Sequence, residues 1–284
     1  MQEPILIGTK NNPELLIDKF KHEIATLGLE EKDLAYKINY KGDIAFLDCD
    51  KPGRTISTEK LKNLLAKIVT NIIMDDWAHI LVKKVIRDQY YYFNKEEKTN
   101  IEDTVIEIFK DKESGYSTTE RKNKVMKRVL EDLDKHQELV LEGFVNFRLK
   151  DLMFEIEKLV DSSVDEFIME KEYLEFIRLL KYFVDIQEPK VEEVNITLGE
   201  NDFFNLVNKD GSKIESEYLN GFTIDYVDHN INYEDLLISA LITLAPRYLV
   251  VHLGFEDKYK DTYKTIKNVF GKKVGCCKGC ELCK

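Results

Sequence analysis

At 284 residues, 43% hydrophobic and 33% charged, the chain has the make-up of a globular protein long enough for about two domains. A chain of this size buries roughly three quarters of its unfolded surface, so neither a metal nor a disulfide is required for it to fold. Its 42 basic and 53 acidic residues leave a formal charge of −11, which opposes non-specific binding to nucleic acid and to anionic membrane.

Residues 1–55 read as a small α/β unit. Pro4–Gly8 is a short strand candidate, and Pro13 to Leu27 predicts an amphipathic helix with Leu16, Ile17, Phe20 and Ile24 inward. Leu34–Tyr40 and Asp43–Asp48 flank Lys41-Gly42, the pattern of a hairpin whose Gly supplies the unusual backbone angle. Cys49 closes that hairpin and reads as a small buried hydrophobe. The opening MQEPILIGTKNNP lacks the basic region and apolar core of a signal peptide.

Pro52-Gly53 punctuates the chain, and residues 56–190 predict a helical domain. Ser57-Thr58-Glu59 leads into the stripe Leu61, Leu64, Leu65, Ile68, Ile72. Near Asp75-Asp76-Trp77 the stripe shifts phase and continues as Ile80, Leu81, Val85, so the helix bends or rotates its buried face there. Trp77 and Tyr90–Phe93 read as packing at a helix end rather than an aromatic binding surface. Ser117-Thr118-Thr119-Glu120 has capping-box spacing and starts a further helix near Thr118. From Gly143 to Lys190 apolar residues recur at helical spacing, among them Phe144, Phe147, Leu152, Ile156, Val164, Phe176, Ile177, Leu180 and Val184. Asp161-Ser162-Ser163 is the expected place for that stretch to turn and restart. Charges interrupt every apolar run, so no segment reaches the ~20 apolar residues of a membrane span.

Residues 191–284 predict a C-terminal α/β domain. Val194–Leu198 is a strand, and Phe203–Val207 and Ser212–Ser216 flank a hairpin loop. Asn232 caps a helix with Leu236, Leu237, Leu241 and Leu244 on its apolar face, ending at Pro246. Tyr248–Leu253 is a buried strand, Asp257–Phe270 a helix closed by Gly271, and Lys273–Gly275 a last short strand. That order is a βαβ unit with a right-handed crossover between parallel strands. The fold class is therefore α+β, with α/β character at both ends and a helical middle.

FVNFRLKDLMFEIEKLVDSSVDEFIMEKEYLEFIRLLKYFVD, NYEDLLISALITLAPRYLVVH, TIKNVFGKKV and GCELC resemble the YtxC-like sporulation proteins of endospore-forming bacteria. The resemblance runs from Ile72 to the C-terminus; residues 1–55 join it by position alone. It implies a soluble protein of a spore-former and brings no reaction, substrate or catalytic residue with it; the cytoplasm is the default compartment because five cysteines, four of them crowded together, do not make an extracellular disulfide framework.

Recognisable chemistry is confined to Cys276, Cys277, Cys280 and Cys283 in GCCKGCELC. The spacing Cys277-x-x-Cys280-x-x-Cys283 equals that of the first three ligands of a bacterial ferredoxin cluster. Gly275 and Gly279 allow backbone N–H groups near sulfur, and Lys272, Lys273 and Lys278 favour thiolate. From Lys258 to Lys284 eight lysines against Asp261 and Glu281 give a net +6, compatible with four thiolates around zinc or an iron–sulfur cluster. If the last strand continues, Cys276 and Cys277 point to opposite sides. A fourth ligand would then come from Cys276, Cys49, His252 or a second subunit.

His252 stands out because it lies near the carboxyl end of a parallel strand, where sites collect in α/β sheets. The remaining histidines, at 22, 79, 136 and 229, are scattered on helix surfaces or edges. The competing reading is a terminal tail of exposed, reduced thiols. Asn208–Gly211 resembles part of a calcium loop, but its first ligand position would be Leu206. Two functional classes stand: a sporulation-associated protein working through a protein partner, and a metal or Fe–S redox or regulatory protein.

Overall fold

A computed structural model describes residues 4–28, 34, 36–49, 57–111, 118–198, 204–214, 233–252 and 254–283. The architecture is α+β, with helices and two mixed sheets of four strands each among the described residues. The chain divides into two compact units, Met1–Phe167 and Ile168–Lys284.

In the first unit, strands β1 (Ile5–Thr9), β2 (Tyr36–Lys41), β3 (Ile44–Cys49) and β4 (Glu138–Val140) form a sheet in the order β2-β3-β1-β4. The expected hairpin is β2–β3, turning at Gly42 with φ +61°. β4 runs parallel to β1 and sits inside the stretch that reads as helical; three residues are too few to display a strand period. Helix α1 (Pro13–Thr26) buries Leu16, Phe20 and Ile24. The Phe46 ring passes so close to Gly8 that a Cβ there would lie 2.5 Å from it. Cys49 is buried, as expected of a small hydrophobe.

Helix α2 (Thr58–Asn71) starts where Ser57 accepts the Lys60 N–H. The expected phase shift has a definite cause. Residues Ile72–Asp76 widen into a π-turn, and the Trp77 N–H donates to the Ile72 carbonyl at 2.8 Å. One inserted residue rotates the buried face by about 100°, so α3 (Ala78–Gln89) continues the core with Leu81, Val82, Val85 and Ile86. Trp77 and Phe93 are buried, which is the packing role expected of them; Tyr91 and Tyr92 are exposed.

Helices α4 (Lys95–Lys110) and α5 (Thr118–Lys135) follow. The start near Thr118 agrees with expectation, although Ser117 of the capping box lies outside the described residues. Arg121 of α5 is buried, and its charge is matched by Glu155 at 2.6 Å and the Phe109 carbonyl at 2.8 Å.

The stretch after Gly143 corrects one expectation. The break falls at Leu149, between α6 (Leu141–Arg148) and α7 (Lys150–Ile186), and Asp161–Ser163 is plain helix. Each polar side chain there fits a helix. Asp161 accepts from the Tyr90 hydroxyl at 2.7 Å, Ser162 donates back to the Leu159 carbonyl at 3.1 Å, and Ser163 faces inward. The apolar stripe is also not wholly core. Phe144, Leu152, Ile156, Val164, Ile177 and Val184 are buried, whereas Phe147 and Phe176 are exposed.

In the second unit, strands β5 (Val191–Leu198), β6 (Phe204–Val207), β7 (Pro246–Val251) and β8 (Val274–Cys276) lie in the order β6-β5-β7-β8. β7 is parallel to both neighbours, the arrangement expected of the βαβ unit. Helix α8 (Tyr233–Leu244) stops one residue before the Ala245-Pro246 step, and its cap at Asn232 lies outside the described residues.

The expected helix 257–270 is two pieces, α9 (Phe255–Lys258) and α10 (Lys260–Phe270), because the backbone leaves helical angles at Tyr259. β6 pairs with β5, and its own hairpin return is a single bridge from Val207 to Lys213; Phe203, Glu215 and Ser216 lie outside the described residues. Val194, Ile196, Leu237, Leu241, Leu249, Val251, Phe255 and Ile266 form the core.

Removing Asp75 should convert the π-turn to an ordinary turn and rotate the α3 face out of the core. Urea unfolding should then register a loss of more than about 3 kcal/mol, the scale of deleting a large core side chain. Asp75→Ala, which breaks only a surface ion pair with Lys122, should cost within about 1 kcal/mol. Equal losses would contradict the phase-shift role.

Candidate metal centre

β7 and β8 deliver two side chains to the same carboxyl edge. The His252 N–H donates to the Ile196 carbonyl at 3.1 Å, and the Cys277 N–H donates to the Val251 carbonyl at 2.8 Å. Both residues thus continue the sheet ladder one step beyond their strands. Side chains alternate along a strand, so Cys276 and Cys277 diverge. The Cys276 sulfur lies 2.7 Å from the Tyr263 hydroxyl of α10, while Cys277 faces the edge beside His252.

Beyond Cys277 the chain doubles back. Gly279 has φ +119°, which lets its N–H donate to the Cys277 sulfur at 3.3 Å. A single 3₁₀ turn, Glu281–Cys283, then sets Cys280 and Cys283 on one side, with Sγ atoms 3.8 Å apart. Cys283 reaches Cys277 at 3.7 Å, and His252 Nδ1 lies 3.3 Å from Cys283 and 3.4 Å from Cys280. One donor atom from each of His252, Cys277, Cys280 and Cys283 falls within 4.8 Å of the others.

These separations suit one tetrahedral ion. Zn–S bonds of about 2.3 Å and a Zn–N bond of about 2.0 Å imply S···S near 3.8 Å and N···S near 3.5 Å. In a four-iron cluster each thiolate binds a different iron at a different corner, which spreads the sulfurs well beyond mutual contact.

The histidine is oriented from behind. Its Nε2 lies 2.9 Å from Asn195 Oδ1 on β5, and Asn195 Nδ2 donates to Glu193 at 3.2 Å. The amide oxygen can only accept, so Nε2 carries the proton and the Nδ1 lone pair points at the sulfurs. Both His252 and Asn195 are buried. Asn195 was not singled out in the sequence. Its signal was a polar residue at an inward position of the strand Val194–Leu198.

Electrostatics at the thiols differ from expectation. The Gly279 amide pulls the Cys277 thiol pKa down, but burial and crowding by Cys280 and Cys283 outweigh it, and the net direction is upward. Lys273, expected to favour thiolate, instead donates to the Val184 carbonyl at 3.3 Å. Of the other fourth-ligand candidates, Cys49 lies in β3 and Cys276 faces Tyr263. His79 pairs with Glu102 and His136 with Asp132; His22 is exposed, and His229 lies outside the described residues.

The profile of the YtxC-like family matches residues 63–275, a span that contains Asn195 and His252 and ends one residue before Cys276. The uncharacterized protein YtxC of Bacillus subtilis (strain 168) is 27% identical over 158 residues, 50% of this chain and 52% of that protein. The chain therefore spans about half the length of that relative. No solved structure matches. Among the described residues no helix is long and apolar enough to cross a membrane.

In chelator-treated protein, the pH midpoint for alkylation of Cys277 should lie above the ~8.5 of an ordinary thiol. It should fall back when Cys280 and Cys283 are both serine. A midpoint at or below the ordinary value would contradict the crowded arrangement.

Proposed function

The chain belongs to the YtxC-like family, and from that footing we propose that it is a zinc-binding protein of the cytoplasm that serves sporulation through protein partners. The observation that carries the metal reading is the convergence of His252, Cys277, Cys280 and Cys283 within 4.8 Å. The sulfur separations favour one ion over a four-iron cluster. Four protein donors leave no open position for water or substrate, so the zinc is structural rather than catalytic. Four reduced thiols at one terminus fit a reducing compartment better than an oxidising one. The sporulation role is carried by the family resemblance.

Metal analysis of anaerobically purified protein tests the centre. About one zinc per chain is expected, and Cys280→Ser should abolish it because no neighbouring thiol can replace that ligand. Cys276→Ser should leave the zinc in place, since its sulfur faces Tyr263. About four irons per chain, or metal-free protein, would overturn the reading.

Asn195→Ala should weaken zinc binding about 10–100-fold, the usual effect of removing a hydrogen-bond partner behind a ligating histidine. Asn195→Asp, which keeps an acceptor toward Nε2, should retain most of the affinity. Equal competition with a chromogenic chelator by wild type and Asn195→Ala would show that Asn195 has no such role.

A further inference from the structure

Helix α7 carries two apolar strips within the second unit. One, Ile177 and Val184, is buried in the core, with Leu180 half-buried between them. The other, Phe176, Leu179, Phe183 and Ile186, is 49–58% exposed, and Met169, seven residues before Phe176, is 71% exposed. The steps of three, four and three residues from 176 to 186 are those of a heptad seam, the spacing that suits another helix as partner. A helix needs one strip to join its own core. A second strip of this size marks an interaction surface.

We infer that this strip is a self-association surface on which two copies of the chain pair their α7 helices antiparallel. Area supports a second copy as the occupant. With Tyr173 and Tyr182, also exposed, the strip offers on the order of 800 Å², the share each partner contributes to a standard interface. Spacing supports the antiparallel sense. In a two-fold pairing centred on Lys181, Phe176 of one copy meets Ile186 of the other, and Leu179 meets Phe183. The same patch then covers itself, which is the property of a closed dimer interface. Glu172 lies on the same line just before the seam and would fall beyond the partner's Ile186, where water reaches it.

This inference does not depend on zinc. Light scattering on the full chain at micromolar concentration should give twice the 33.3 kDa chain mass. Phe176→Glu with Phe183→Glu should weaken the dimer at least about 100-fold, because each half of the seam would bury two carboxylates against the partner's apolar side chains. Its far-UV circular dichroism should match wild type, since both side chains are exposed. A photo-crosslinking residue at 176 reads the orientation without relying on that variant: it should capture the peptide around Ile186 of the other copy. A wild-type mass of 33.3 kDa, a double variant that stays dimeric, or capture of position 176 by itself would overturn the inference. Capture of a different protein would reassign the surface.

Discussion

Parallel pairing on both sides of β7 places two of the four donors of the candidate metal centre, His252 and Cys277. Val251 is opposite Cys276 on one side and Ile196 on the other, so the next residue along, His252, emerges between Cys277 and the end of β5. A one-residue slip of β8 would exchange the two cysteines, sending Cys276 to the edge and Cys277 toward α10. Burial of Leu249 and Val251 fixes β7, and β8 is held in register against it by the Cys277 N–H on the Val251 carbonyl and the Cys276 sulfur beside the Tyr263 hydroxyl. The tail after β8 has then only to turn back once, at Gly279, to bring two more sulfurs within reach.

A buried histidine and a buried asparagine side by side in a sheet of Val, Ile and Leu are costly unless both are hydrogen-bonded. The Glu193–Asn195–His252 chain meets that requirement at one end, and the sulfurs meet it at the other. The same chain leaves the imidazole with a single way to present its lone pair. Orientation of the ligand is thus a by-product of satisfying polar groups within the sheet, and the β5 residue that does it lies more than fifty positions away in sequence.

Much of this was legible from residues alone. The phase shift at Asp75–Trp77 was visible because a π-turn adds one residue to a regular stripe, and a stripe records insertions. His252, Cys276 and Cys277 could be placed at one edge because strands joined by a crossover are parallel and so end on the same side of the sheet. What could not be read was interior polarity with local partners. Asp161, Ser162 and Ser163 have the composition of a turn, yet Asp161 accepts from the Tyr90 hydroxyl, Ser162 bonds back within the helix and Ser163 is buried. Phe176 and Ile177 are equally apolar neighbours, but one faces solvent and the other the core. Periodicity measures whether a side is apolar, not what it is apolar against.

That distinction also separates the proposed zinc site from the fold. The second core is closed by Ile, Leu, Val and Phe from α7, α8, α10 and the sheet, and none of its buried members is a cysteine. That core needs no metal, and three of the four candidate ligands lie in the return of residues 277–283 across the strand ends. There Leu282 packs so near the Asn208–Ser212 turn that a Cβ on Gly211 would lie 3.1 Å from it. An ion bound at the proposed site would act on this short tail rather than on the core of the unit. An ion at a thousand times its dissociation constant stabilises the form that binds it by about 4 kcal/mol. For seven residues with little other burial, that would shift the balance between the returned and the frayed tail and leave the sheet beneath it unchanged.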